Sequence, residues 1–153
     1  MSSEIELAWA AGFFDGEGCV SVVKRHTGSS AKRSYLYYQL NLNAPQINKD
    51  PLLKLKSLFG GQVRCTRSYG NRRPSFVWTL HAALAEKALR ALLPYLIVKK
   101  AEAELALQYR ATIKPAGNYG RRRVLTDWDW AERTAISEAL QEYHKTYVWE
   151  VGG

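Results

Sequence analysis

The residues best placed to do chemistry lie in the segment Asp15-Gly16-Glu17-Gly18, where two acids alternate with two glycines directly after an apolar stretch. By itself this segment also fits a capped helix end that leads into a turn, because glycine is a poor helix former and a good C-terminal cap. Thiol and imidazole chemistry has weaker support. The two cysteines have no CxxC spacing and the three histidines form no HxxxH or Cys/His cluster, so we expect reduced thiols and no zinc site.

The overall charge indicates a polyanionic partner. The chain has 153 residues, a net charge of +8 and a pI near 9.6. Clustered lysine and arginine release counterions from phosphates, although a basic surface without such a role is also consistent with this composition. An aromatic content of 12% with five tryptophans favours a packed fold over a disordered basic tail.

The length predicts one domain spanning residues 1–153. No apolar run approaches the roughly 20 residues of a membrane span, and the N-terminus lacks the order of a signal peptide. We therefore expect an intracellular protein, in the cytoplasm or in an organelle if one encodes it, with neither a membrane nor a small molecule as partner.

The first predicted helix covers residues 4–14 and stops at the acidic glycine segment. Its small residues Ala8, Ala11 and Gly12 are predicted to lie on one side, where they would let another helix approach closely. Further helices are predicted at 50–59, with Asp50 as N-cap, at 82–95, broken at Pro94, and at 99–112. Thr126 and Asp129 resemble a capping box that opens a last helix.

Strands are predicted at 18–25, 35–44, 62–67 and 73–80, separated by turn residues. The second strand alternates cleanly: Leu36, Tyr38, Leu40, Leu42 and Ala44 share one face, and Tyr35, Tyr37, Gln39, Asn41 and Asn43 share the other. The polar row is either a binding surface or ordinary solvent-exposed surface. The element order predicts an α+β fold, a four-stranded antiparallel saddle-shaped sheet with helices on one face, arranged αββαββα plus C-terminal helices.

The segment AAGFFDGEG resembles the signature of the LAGLIDADG homing endonucleases, and the likeness extends from Leu7 to about Glu104. The resemblance implies that Glu17 and the Gly16 carbonyl bind a divalent cation such as Mg²⁺. It also implies that Gln46 positions water and that Lys99 assists at the scissile phosphate. The sequence departs from the usual signature at Ala10, at Phe14 and at Glu17 itself, where aspartate is more usual.

A chain with one such motif is expected to act as a homodimer through the Ala8, Ala11 and Gly12 helix. It would cleave both strands of a long pseudo-palindromic DNA target in a staggered, metal-dependent reaction that serves intron homing. The polar sheet face would bind double-stranded DNA through Ser21, Arg25, Tyr37, Gln39, Asn41, Asn43, Arg64, Thr66, Ser68, Arg73, Ser75 and Thr79. The arginine run 121–123 would contact phosphate or be solvated.

Two other functions stay open at this stage. The first is a catalytically inactive family relative, either an RNA-binding intron maturase or a DNA-binding protein. The second is a basic structural protein of a ribonucleoprotein particle, for which the charge is suitable but the acidic motif has no use.

Overall fold

The computed structural model describes residues 2–26, 36–66, 70, 73–113 and 126–150. Within them the element order is helix, two strands, helix, two strands and then helices, which confirms the predicted α+β class. The elements are α1 (Glu4–Glu17), β1 (Cys19–His26), β2 (Leu36–Gln46), α2 (Lys49–Phe59), β3 (Gln62–Thr66), β4 (Ser75–His81), α3 (Ala82–Leu92), a 3-10 turn (Leu93–Tyr95), α4 (Lys100–Ala111) and α5 (Asp127–Glu150).

The four strands form one antiparallel sheet in the order β1-β2-β4-β3. Because side chains alternate along a strand, the register sorts them into two faces. The inner face is apolar and buried, and it comprises Val20, Val22, Tyr38, Leu40, Leu42, Ala44, Trp78 and Leu80. The predicted division of β2 into an apolar and a polar face is therefore confirmed.

The helices supply the other half of a single hydrophobic core. Their buried residues are Ala10, Ala11 and Phe14 from α1, Leu52 and Leu55 from α2, Ala85, Ala88, Leu89 and Leu92 from α3, Ala103, Ala106 and Tyr109 from α4, and Ile136 and Leu140 from α5. Removal of this apolar surface from water is the main force that holds the helices on the sheet. No helix in the described ranges is long and apolar enough to cross a membrane.

Two helix boundaries differ from the prediction for local reasons. Helix α1 continues through Gly16 to Glu17, and Gly18 ends it by donating its N–H to the carbonyl of Phe14 at 2.8 Å. Helix α2 is capped by Asn48, whose Oδ1 accepts the N–H of Asp50 at 2.9 Å, so the prediction of Asp50 as N-cap is wrong. Asp50 instead lies in the first turn, where a negative charge favours the positive end of the helix dipole.

Helix α5 begins with the predicted capping box, since Thr126 Oγ1 accepts the Asp129 N–H at 3.2 Å and Asp129 Oδ2 accepts the Thr126 N–H at 2.9 Å. It packs along the edge strand β1, where Ser137 donates a 2.6 Å hydrogen bond to the Val22 carbonyl. Ile136 and Leu140 of this helix are buried, whereas Tyr143 is exposed.

The α2–β3 turn depends on two consecutive glycines, Gly60 at φ 81° and Gly61 at φ 87°. Residues with a side chain rarely adopt such angles. Gly61 has a second constraint, because a Cβ added there would lie 2.4 Å from the backbone oxygen of Thr79, whereas one added at Gly60 meets nothing within 4 Å. This close approach seats β3 against β4.

The two glycines form a matched pair for a stability test. We expect Gly60→Ala to lower the free energy of unfolding by about 1–3 kcal/mol through backbone strain alone. Gly61→Ala should lower the free energy of unfolding by more, because its Cβ would also clash with the backbone oxygen of Thr79, which cannot move aside. Urea unfolding of both variants measures the difference, and a Gly61→Ala protein as stable as Gly60→Ala would contradict the role of the close approach.

Candidate active site and nucleic-acid interface

The carboxyl end of α1 presents the candidate catalytic acid. Glu17 is the last helical residue and is exposed, and its carboxylate makes no hydrogen bond or ion pair with the part of the chain that the structure describes. The last carbonyls of a helix have no intrahelical partner and carry partial negative charge. The Gly16 carbonyl lies in this last turn, so carboxylate and carbonyl oxygens occur together at an exposed, electronegative helix end.

Asp15 ties this helix end to the start of α4. Its carboxylate accepts the backbone N–H of Ile97 at 2.8 Å and that of Lys99 at 3.0 Å, one on each oxygen. In return, Lys99 Nζ donates to the backbone carbonyl of Asp15 at 2.8 Å. Residues separated by more than eighty positions in the chain are thereby held in a fixed relation by three hydrogen bonds, all of which involve a charged group.

Lys99 therefore lies beside the end of α1. It occupies the N-cap position of α4 and is half-buried. An ammonium group has three donors, and the described contacts use one of them, so two remain for another acceptor. The sequence identified Lys99 as a candidate but did not identify Asp15, because a contact between distant segments has no local signature.

A cleft opens next to Lys99 and is lined by Gly18, Cys19, Val98, Lys99, Glu102, Tyr143 and His144. Burial, and secondly the Glu102 charge, raise the pKa of the Cys19 thiol, which keeps this thiol protonated and a poor metal ligand. Among the residues that the structure describes, no three histidine, cysteine or acidic side chains are placed to hold a metal ion together.

Gln46 is the last residue of β2, which continues two residues past its predicted end at residue 44. Strand β1 begins opposite Asn43, so β2 continues three residues past it, roughly 10 Å, toward the side of the sheet where α1 ends. Its Oε1 accepts the Ile47 N–H at 2.8 Å. No hydrogen bond joins it to Glu17 or Lys99 in the described ranges.

The outer face of the sheet gathers most of the residues predicted to contact DNA. Cross-strand pairing places Ser21 beside Asn41, Arg25 beside Tyr37 and Thr66 beside Ser75. Residues of this face are exposed or half-buried with one exception, and they comprise Ser21, Arg25, Tyr37, Gln39, Asn43, Arg64, Thr66, Ser75 and Thr79. Arg73 is exposed just before β4, whereas Ser68 and the arginine run 121–123 lie outside the described residues.

Asn41 is the exception. The prediction that it contacts bases directly is wrong for this structure, because its side chain is only 6% exposed and its Oδ1 lies 2.7 Å from Nδ1 of His81, its cross-strand neighbour. His81 is the exposed member of the pair and was not among the predicted residues.

The predicted dimer face also needs one correction. Ala11 is completely buried in its own chain's core, so its assignment to an intermolecular surface is wrong. Ala8 and Gly12 are exposed, together with Ile5 (82% exposed) and Trp9. A Cβ added at Gly12 would meet nothing within 4 Å, so no contact with the described residues requires a glycine there.

The fold and the acidic helix end define a class of protein: an α+β domain with an open polar sheet face and an exposed carboxylate at one helix terminus. The chain belongs to the LAGLIDADG endonuclease family, whose model matches residues 10–114. No protein of curated function matches the sequence.

Solved structures support the fold. The chain is similar to the homing endonuclease I-CvuI, with a TM-score of 0.67 at 22% identity over 92% of this chain and 82% of that one. It is similar to the archaeal intron-encoded enzyme I-Vdi141I, with a TM-score of 0.57 at 14% identity over 92% and 99%. For I-TnaI the TM-score is 0.57 at 16% identity over 95% and 99%.

Asp15→Ala should loosen the Lys99 segment. Both N–H groups that the carboxylate accepts lose their partner, which we expect to cost about 1–3 kcal/mol of unfolding free energy and to accelerate amide hydrogen exchange at Ile97 and Lys99. Glu104→Ala, a change at an exposed acid on α4, is the matched control. Unchanged exchange at Ile97 and Lys99 in the Asp15 variant would show that the bridge does not restrain this segment.

Proposed function

We propose that this protein is a site-specific DNA endonuclease that acts as a homodimer and makes a metal-dependent, staggered double-strand break in a long pseudo-palindromic target, as in intron homing. The observation that supports this best is the exposed Glu17 carboxylate at the end of α1, two residues after Asp15, whose backbone carbonyl accepts a hydrogen bond from the Lys99 ammonium.

The outer sheet face is suited to the major groove of DNA, which admits a two-stranded antiparallel ribbon. It offers amide, hydroxyl and guanidinium groups, and the net charge of +8 favours a polyanion. The structural neighbours I-CvuI and I-Vdi141I were each solved in complex with DNA. Guanidinium groups such as those of Arg25 and Arg64 suit guanine edges or phosphates, and the amides of Gln39 and Asn43 suit adenine.

The α1 terminus fits a hard divalent cation. Oxygen is the ligand atom that Mg²⁺ prefers, and Glu17 and the Gly16 carbonyl provide it at the negative end of a helix dipole. When bound there, a divalent cation would supply positive charge that stabilises the attacking and leaving oxygens of the phosphodiester. I-CvuI was solved with its own target in the presence of Ca²⁺ and with another target in the presence of Mg²⁺.

Lys99 and Gln46 would act on the phosphate and on water. The two unused donors of the Lys99 ammonium can contact a phosphate oxygen and stabilise the charge that develops there. Gln46 can orient a water molecule once its side chain leaves the Ile47 N–H. Glu17, Lys99 and Gln46 all favour the enzyme over an inactive maturase or DNA-binding relative, which would need none of them.

Dimerisation through α1 is supported by the exposed glycine. Glycine inside a helix costs about 1 kcal/mol relative to alanine, and no contact within the described ranges requires it at Gly12. A twin α1 helix that packs closely would account for it. The exposed apolar side chains of Ile5 and Trp9 on the same helix, and of Ile97 (86% exposed) beside its end, would then be buried.

The Glu17→Gln variant should bind DNA but not cleave it. The amide keeps the shape of the side chain and removes the charge that holds a cation. The assay is Mg²⁺-dependent linearisation of plasmids from a library with randomised inserts, scored by sequencing the ends. Glu4→Gln, at an exposed acid in the first turn of the same helix, is the matched control and should cut like wild type. Wild-type cleavage by Glu17→Gln would refute the assignment of Glu17.

Substitution of Gly12 should separate folding from assembly. Gly12→Leu has room within its own chain, so each chain should still fold, but the side chain would hold two α1 helices apart. We expect monomers in sedimentation equilibrium at micromolar concentration and the loss of double-strand cleavage. Ala83→Leu, on the exposed surface of α3, should stay dimeric. A dimeric Gly12→Leu protein would exclude α1 as the interface.

A further inference from the structure

His81 occupies an unusual position. It is the last residue of β4 and the N-cap of α3, yet its side chain makes no capping hydrogen bond to that helix. The side chain extends across the sheet to Asn41, where Nδ1 lies 2.7 Å from Oδ1. The ring remains exposed on the outer face, between the β1–β2 half of the sheet and β3.

The Asn41 contact fixes the tautomer of the ring. An amide oxygen can only accept a hydrogen bond, so Nδ1 of His81 must carry the proton. In the neutral ring Nε2 then has a lone pair and no hydrogen. Because Asn41 is buried, its amide is not available to bases, but its hydrogen bond to the cross-strand neighbour His81 can hold the imidazole in place.

The surroundings keep the ring neutral. Partial burial lowers the pKa of His81 below its usual value, and the charges of Arg25 on β1 and Arg64 on β3 lower it further. Near neutral pH the outer face therefore presents an unprotonated ring nitrogen, an acceptor, between two guanidinium groups that can only donate.

The backbone next to the ring is strained. Ala82, which follows His81, has a φ of 52°, in the left-handed region that non-glycine residues rarely adopt. Strain of this kind is unfavourable and persists where the surrounding structure requires it. Here it lets the chain turn from β4 into α3 while the His81 side chain stays on the outer face.

We propose that His81 and Asn41 form a base-reading dyad, in which Nε2 of His81 accepts a hydrogen bond from the exocyclic amino group of an adenine or cytosine in the major groove. The inference rests on the proposed DNA-binding function. The amino groups of these two bases are the donors that the major groove displays, while guanine and thymine present acceptors there. The dyad would complement Arg25 and Arg64, which favour acceptors.

Selection from a pool of randomised duplexes tests this proposal. Every protein carries Glu17→Gln so that bound DNA is recovered uncut, and thermal unfolding confirms that each variant is folded. We expect the His81→Leu variant to lose an adenine or cytosine preference of about tenfold at one pair of symmetry-related positions, with the others unchanged. His26→Leu, at an exposed histidine at the end of β1, is the matched control and should leave all positions unchanged.

The Asn41→Asp variant tests the tautomer, because a purely structural role of Asn41 predicts no change in the base that is preferred. A carboxylate at this position favours the doubly protonated ring, so Nε2 becomes a donor. The preferred base at the His81 position should change from adenine or cytosine to guanine or thymine. Nitrogen-15 shifts of the free protein should show the proton on Nδ1 in wild type and on both nitrogens in Asn41→Asp.

Each result decides between the proposals. A wild-type consensus that His81→Leu leaves intact overturns the dyad and leaves the proposed function standing. A neutral wild-type ring with its proton on Nε2 overturns the dyad as well. If wild type enriches no sequence, both the dyad and site-specific DNA binding are wrong.

Discussion

The hydrogen bonds between Asp15 and the Ile97–Lys99 segment are the constraint on which the candidate site depends. They join the end of α1, which carries the candidate metal-binding carboxylate, to the start of α4, which carries the candidate phosphate-contacting ammonium of Lys99. Backbone groups at both helix ends are satisfied by these bonds. The Asp15 carboxylate accepts from N–H groups that precede α4, and Lys99 donates to a carbonyl that α1 leaves without an intrahelical partner. Glu17, two residues after Asp15, makes no hydrogen bond or ion pair with the described part of the chain.

The sheet has the complementary role of separating the core from the surface that faces outward. Helices cover one face, so the buried apolar side chains of β1, β2 and β4 point toward them, and most of the polar strand residues lie on the other face. Strand β2 is central to this arrangement because it pairs on both sides and extends past β1 toward the end of α1. Strand β2, which carries much of the polar face, thus also reaches the side of the sheet where Glu17 lies. The same strand therefore connects the candidate DNA-binding surface to the candidate catalytic site.

Strand faces could be predicted from the sequence because a period of two leaves little ambiguity once one face must be buried. Helix ends were harder. Helix α1 was expected to stop at the acidic glycine segment after residue 14, but it continues through this segment to Glu17 and ends at Gly18. Ala11 was assigned to the wrong partner because a small side chain suits close packing against its own core as well as against a second chain.

Asp15 and the His81–Asn41 pair were missed for a different reason: each depends on a hydrogen bond between segments far apart in the chain, and only the tertiary fold brings these together.

If two chains assemble through α1, the interface and the chemistry are not independent. Gly12 and Glu17 are five residues apart on one helix, about 7.5 Å along its axis, so the distance at which the twin helices cross determines how far apart the two carboxylates lie. Two like charges brought close repel, and cations relieve that repulsion. A bulkier residue at the crossing would therefore increase the distance between the two carboxylates. The distance between the two phosphates on which they could act would change with it. This coupling gives a physical reason for a glycine at an exposed helical position that the fold of the single chain does not require.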